Sequence, residues 1–157
     1  MIDITIPRFG SFHVRHLVLD VNGTLTKDGE ILPGVTERLN QLHRAIEIEL
    51  ISADTLGRLE AIATQLGLPF TRLDPAEPEP EQKAGFVRRL DALSVVAIGN
   101  GANDVDMLKQ AAIGITVLGP EGLAVAALHA SDVVVGSIED ALDLLLFPKR
   151  LIASLRR

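Results

Sequence analysis

The sequence predicts an α/β protein in which a mostly parallel sheet carries helices on both faces, and three observations point there. Short runs of Ile, Val and Leu recur along the chain, each closing near Gly, Ser or Asp: HLVL (16–19), IEIELIS (46–52), LSVVAIG (93–99), IGITV (113–117) and DVVVG (132–136). Segments with apolar residues at helical spacing fill the gaps between them, so strand and helix alternate from residue 16 onward. At 157 residues, with 47% hydrophobic and 23% charged side chains, the chain fits one hydrophobic core, and a single domain over 1–157 is expected.

Taken in order, IDITI and SFHV alternate apolar and polar residues around RFG, which predicts a small N-terminal β-hairpin beside the sheet. HLVL is short and apolar throughout, the pattern of a parallel strand buried on both faces. PGVTERLNQLHRA (33–45) opens on Pro33 and sets Val35, Leu39 and Leu42 on one helical face. TLGRLEAIATQLG (55–67) repeats that pattern and stops at Gly67. FTRL (70–73) is a weaker strand, and the acidic, proline-rich DPAEPEPE (74–81) reads as an exposed loop. Helices are then predicted over 81–92, 103–112, 121–130 and 138–146, with Pro148 breaking the last before a short C-terminal helix. Crossovers between parallel strands are right-handed, and ligands bind beyond the carboxyl ends of such strands.

Composition removes several functions. A net charge of −6 disfavours nucleic acid and anionic membrane, and basic residues cluster only at Arg88-Arg89 and from Lys149 to Arg157, as solvated helix faces do. The absence of cysteine excludes disulfides and thiolate metal sites. Five Phe without Trp or Tyr supply few surfaces for stacking bases. MIDITIPRFG lacks the pattern of a signal peptide and no run reaches the ~18 apolar residues of a membrane span, so a cytoplasmic location without membrane or nucleic-acid partners is expected. His13, His16, His43 and His129 are dispersed without ligand spacing. GNGAN does not match the dinucleotide fingerprint.

Polar residues collect where this architecture puts chemistry: Asp20 after the first parallel strand, Ser52 after the second, Lys83 at a helix start, and Asn100 to Asp104 after the fourth. Alone, each has a plain alternative: Asp20 caps a turn, Ser52 caps a helix, Lys83 is solvated. Together they supply a nucleophile, donors to phosphate oxygens, a cation and an oxygen-rich loop for magnesium, which is what phosphoryl transfer to a carboxylate requires.

DVNGTLT (20–26), LISAD (50–54), Lys83 and GNGANDVDML (99–108) resemble, in order, the four motifs of the haloacid dehalogenase-like phosphohydrolase superfamily, over about His16 to Pro148. The pairing of DxNGTLT with a GxGxND loop is most similar to the phosphorylation domain of P-type ATPases, whose motif reads DKTGTLT. The resemblance implies a Rossmann-like three-layer sandwich, dependence on Mg2+, a small-molecule phosphate substrate and an aspartyl-phosphate intermediate. It assigns Asp20 as nucleophile. Ser52, with the backbone at Ala53, and Lys83 would hold the phosphate, while Gly23, Thr24 and Asn103 would shape the substrate side. Asp20, Asn22 through its carbonyl, Asn100 and Asp104 would form the metal set. Asp106 is turned from Asp104 by about 200° along a helix and is less favoured.

Two residues depart from the pattern. Phosphatases of the superfamily carry Asp at position 22 as general acid and base, work an amide cannot do. That assistance is worth roughly 10²–10⁴-fold, so slow dephosphorylation or a good leaving group is expected. Asn100 stands where an acid usually holds magnesium, so metal affinity should fall. Only about thirty positions separate Asp20 from Ser52 and Ser52 from Lys83, too few for an inserted cap domain. Water exclusion would then fall to a large substrate or a neighbouring copy in a homo-oligomer. Two functions fit: a magnesium-dependent phosphohydrolase acting on ATP or a small phosphomonoester, or a catalytically weakened phospho-accepting module that recruits a protein. Asp20, Lys83 and Asp104, present together, favour the first.

Overall fold

A computed structural model describes residues 1–157. The chain opens with an antiparallel hairpin, β1 (Ile2–Ile6) and β2 (Gly10–Val14), and runs directly into β3 (His16–Asp20). A second, smaller hairpin follows, β4 (Thr26–Lys27) and β5 (Glu30–Ile31), before α1 (Val35–Leu42). Then come β6 (Glu47–Ser52), α2 (Leu59–Leu66), β7 (Phe70–Arg72), α3 (Glu79–Arg89), β8 (Val95–Gly99) and α4 (Val105–Gln110). The chain ends with β9 (Ile113–Val117), α5 (Val125–Ala130), β10 (Val133–Val135), α6 (Ile138–Leu146) and α7 (Pro148–Leu155).

Six strands form one parallel sheet in the order β10-β9-β8-β3-β6-β7. The central strand β3 pairs with β6 on one side and β8 on the other, so that Asp20 lies opposite Ile51. Because successive side chains on a strand point to opposite faces, each strand feeds two cores. Leu17, Leu19, Ile48, Leu50, Val96 and Ile98 pack with α1, α2, α6, α7 and the N-terminal hairpin. Val18, Ile51, Val95 and Ala97 point the other way, toward α3, α4 and α5. Two such apolar faces explain the unbroken hydrophobic runs in the sequence, and burying each Leu or Ile completely stabilises by about 1.5–3 kcal/mol. This is the predicted three-layer architecture, with only the β4–β5 hairpin between β3 and α1 and no cap domain.

Several boundaries differ from expectation for local reasons. Helix α3 starts at Glu79, inside the segment read as a loop, because Pro78 and Pro80 fall at the cap and first turn, where no backbone N–H is needed. Helix α2 starts at Leu59 rather than residue 55. The Asp54 carboxylate accepts the Leu59 N–H at 2.8 Å, and residues 54–57 form a turn with Asp54 at φ +58°. Helix α5 starts at Val125 because Gly119–Gly122 closes a turn of its own. The β4–β5 hairpin was not expected.

Candidate active site

Asp20 ends the central strand at the carboxyl edge of the sheet, 5% exposed. The chain turns sharply there: the N–H groups of Thr24, Leu25 and Thr26 all point at the Val21 carbonyl, and Gly23 takes φ +77°. That backbone suits glycine and brings the Thr24 side chain back over Asp20. Thr24 Oγ stands 3.0 Å from Asp20 Oδ2 and 3.1 Å from Asn100 Oδ1.

Lys83 projects from α3 on the layer beneath and is the largest fully buried side chain. Its Nζ donates to Asp20 Oδ1 at 2.7 Å and to Asp104 Oδ1 at 2.6 Å. Asp104, also fully buried, closes a 3₁₀ turn over Ala102–Asp104, and its Oδ2 accepts the N–H groups of Asn100 (3.0 Å) and Gly101 (2.8 Å). The close approach of that carboxylate explains Gly99, where a Cβ would lie 2.5 Å from Asp104 Oδ2.

Burial raises Asp20 from the ordinary 3.8 to about 6; the Asp104 charge adds to this and Lys83 opposes it. For Lys83 burial pulls downward, but the two carboxylates outweigh it and move the ammonium upward, so Lys83 is charged at neutral pH. Two carboxylates around one ammonium leave a single excess negative charge in a buried cluster.

The other residues singled out in the sequence lie in the adjoining loops. Ser52 is buried at the end of β6, where its Oγ accepts the Asp54 N–H at 3.0 Å. Ala53 follows it, half-buried. Asn22 is half-buried, with Nδ2 3.4 Å from Thr55 Oγ. Asn103 donates to Glu79 Oε2 at 2.7 Å, which ties the last loop to α3. Asp20, Thr24, Lys83, Asn100 and Asp104 thus form one hydrogen-bonded cluster, whereas Ser52, Asn22 and Asn103 bond to neighbours outside it.

Sequence reasoning missed Glu121. It lies on the Gly119–Gly122 turn, and its Oε1 accepts the Asp28 N–H at 2.8 Å across the mouth of the cluster. The signal was the Gly-Pro-Glu-Gly run, which marks a turn rather than a helix start.

No three His, Cys, Asp or Glu side chains close around a metal position. The oxygen donors that remain are mixed. Asp20 Oδ2 and Asn100 Oδ1 share the one hydroxyl proton of Thr24, while both oxygens of Asp104 are taken by Lys83 and backbone N–H groups. An oxygen-rich edge with too few protons and one excess negative charge fits a hard divalent cation, which is held through one or two carboxylates with water completing its shell.

Residues 15–112 match the haloacid dehalogenase-like hydrolase family, and the chain belongs to it. Over 167 aligned residues it is 29% identical to a copper-exporting P-type ATPase of Staphylococcus aureus, covering 97% of this chain but only 20% of the transporter. Over 62 residues it is 52% identical to an uncharacterised protein of Methanocaldococcus jannaschii, covering 40% of this chain and 67% of that one. The fold superposes with a TM-score of 0.70 on the 3-deoxy-D-manno-octulosonate 8-phosphate phosphatase of Moraxella catarrhalis, solved with magnesium, phosphate and the sugar acid. The two are 18% identical, with 92% of this chain and 94% of that one covered. No helix is long and apolar enough to cross a membrane.

Proposed function

We propose that this hydrolase is a divalent-cation-dependent phosphatase that works through phosphorylation of Asp20. The observation that carries the reading is the buried Asp20–Lys83–Asp104 cluster at the end of the central strand. A fold has little reason to bury two carboxylates and an ammonium there for stability, since such clusters are seldom worth more than an apolar core.

A carboxylate oxygen of Asp20 attacks phosphorus, the bond to the leaving oxygen breaks, and water then cleaves the acyl phosphate and restores the carboxylate. With its group near 6, most of Asp20 is ionised at pH 7 and ready to attack. Lys83 keeps that carboxylate oriented and offsets the charge of an approaching phosphate. Asp104 serves by holding Lys83 and the loop N–H groups, which engage both of its oxygens. Ser52 and the backbone at Ala53 line the phosphate side.

Magnesium, held by Asp20, Asn100 and the Asn22 carbonyl with water, would neutralise charge on the phosphate. Asn22 cannot hand a proton to the leaving group, which selects leaving groups that depart unprotonated, such as a nucleoside diphosphate or an aryl oxide. ATP or a small activated phosphomonoester is therefore the substrate class. With only the β4–β5 hairpin over the mouth, a large substrate or a second copy of the chain would exclude water.

The test is phosphate release from ATP and p-nitrophenyl phosphate by the parent chain and Asp20→Asn, with magnesium or EDTA. Release that needs both the metal and Asp20 supports the reading. A parent chain that takes up one phosphate and does not turn over points to the phospho-accepting module, and one inert to both substrates contradicts phosphatase activity.

A further inference from the structure

Asn100 replaces a symmetric carboxylate with a side chain whose two ends are unlike. Only Oδ1 can accept from Thr24 or hold a cation; Nδ2 can do neither. The amide therefore works in one of its two orientations, and something must select that orientation.

The selection comes from the Gly119–Gly122 turn. The Gly122 carbonyl oxygen lies 3.0 Å from Asn100 Nδ2. A carbonyl only accepts, so a flipped amide would set two oxygens against each other. The next stretch grips the same residue again, with the Ala124 N–H donating to the Asn100 backbone oxygen at 2.9 Å. The turn is closed by the Gly122 N–H on the Gly119 oxygen at 3.0 Å, with Gly122 at φ +99°. It lies so close to the Asp20 loop that a Cβ on Gly119 would stand 2.6 Å from the Gly23 oxygen.

What fastens this turn to the opposite side of the mouth is Glu121. Its Oε1 takes the Asp28 N–H at 2.8 Å, at the tip of the β4–β5 hairpin, where Asp28 has φ +51°. Its Oε2 lies 3.0 Å from where a Cβ on Gly23 would stand. The carboxylate thus spans from its own turn to the hairpin over the Asp20 loop.

We infer that Glu121 is a positioning residue: by pinning the Gly119–Gly122 turn to the hairpin it holds the Gly122 carbonyl against Asn100, so that the amide presents Oδ1 to Thr24 and, beside Asp20 Oδ2, to the divalent cation. The inference rests on the cation-dependent reading above. Groups that orient metal ligands in this way typically carry 10–100-fold of the affinity.

The test compares Glu121→Ala and Glu121→Gln in the full chain, each with Asn100 and with Asn100→Asp. Mn2+ affinity is followed by electron paramagnetic resonance, and solvent exchange of the Asn100 side-chain amide by 15N NMR. Glu121→Gln keeps an oxygen for the Asp28 N–H and should stay within about twofold of the parent, while Glu121→Ala should weaken Mn2+ about tenfold and speed amide exchange by a similar factor. In the Asn100→Asp background the Glu121→Ala loss should shrink to about twofold or less, because a carboxylate offers oxygen in either orientation. An equal Glu121→Ala loss in both backgrounds would mean a general structural role and would overturn the inference, as would unchanged amide exchange. A parent chain that binds no Mn2+ refutes the cation-dependent reading instead, and the amide exchange still decides whether Glu121 orients Asn100.

Discussion

Asp20→Asn keeps the shape of the side chain and removes its charge, so it isolates what that charge does to the fold. Burial raises Asp20 from 3.8 to about 6, with Asp104 adding to the rise and Lys83 opposing it. The folded chain therefore holds this proton more tightly than the unfolded chain does. The stability that comes with the proton is fully present below about pH 4 and is lost as pH rises through about 6. At 1.36 kcal/mol per pKa unit the rise corresponds to roughly 3 kcal/mol. Between about pH 4 and 7 the stability of Asp20→Asn relative to the parent should thus improve by roughly 3 kcal/mol. The weakened bonds to Lys83 and Thr24 set the baseline of that difference but not its slope. Urea unfolding in EDTA at stepped pH, followed by far-UV circular dichroism because the chain has no Trp or Tyr, measures it. A difference independent of pH, or one that turns against the variant as pH rises, would show that Lys83 outweighs burial and would refute the reasoning.

Removing the cation has the opposite sign. Lys83→Met leaves the buried carboxylates of Asp20 and Asp104 without their counter-charge and should cost about 3–5 kcal/mol at pH 7, with the loss shrinking toward pH 5 as Asp20 takes up its proton; thermal unfolding at the two pH values checks it. Asn22→Asp restores a titratable group beside the leaving group and should raise turnover of a poor-leaving-group phosphomonoester by about 10²-fold, with little gain on an aryl phosphate, as steady-state rates on the two substrates would show. Asn100→Asp adds the carboxylate that magnesium prefers and should tighten Mn2+ binding, read by titration calorimetry.

The sheet could be read from the sequence because both of its faces are buried. Strands such as HLVL and VVAIG carry no polar alternation to blur them, and helical spacing such as that of Val35, Leu39 and Leu42 marks the stretches between strands. The place of the candidate site was readable for a related reason: parallel strands deliver their carboxyl ends to one edge, which sets Asp20, Ser52 and the Asn100 loop along the same side of the sheet whatever the details of the helices. Details that depend on a few atoms were not readable. Nothing in GNGAND announces that Asp104 spends both oxygens on Lys83 and on its own loop, since that follows from a 3₁₀ turn packed against Gly99. Strands of two residues show no alternation, and the Asp28-Gly29 pair, both at positive φ, was the available sign of the β4–β5 hairpin. Gly119–Gly122 was absorbed into a helix whose apolar spacing begins only at Val125, and Glu121 was lost with it.

Chemical trapping tests the role of Asp20 most directly. The chain would be mixed with labelled ATP or an aryl phosphate and magnesium, quenched in acid, reduced with borohydride and digested, and the peptide containing residue 20 sequenced by mass spectrometry. An acyl phosphate on Asp20 predicts conversion of that residue to homoserine, in proportion to the label held by the quenched protein. Phosphate released at the full rate with aspartate intact at residue 20, and no label on the chain, would mean that water attacks phosphorus without Asp20.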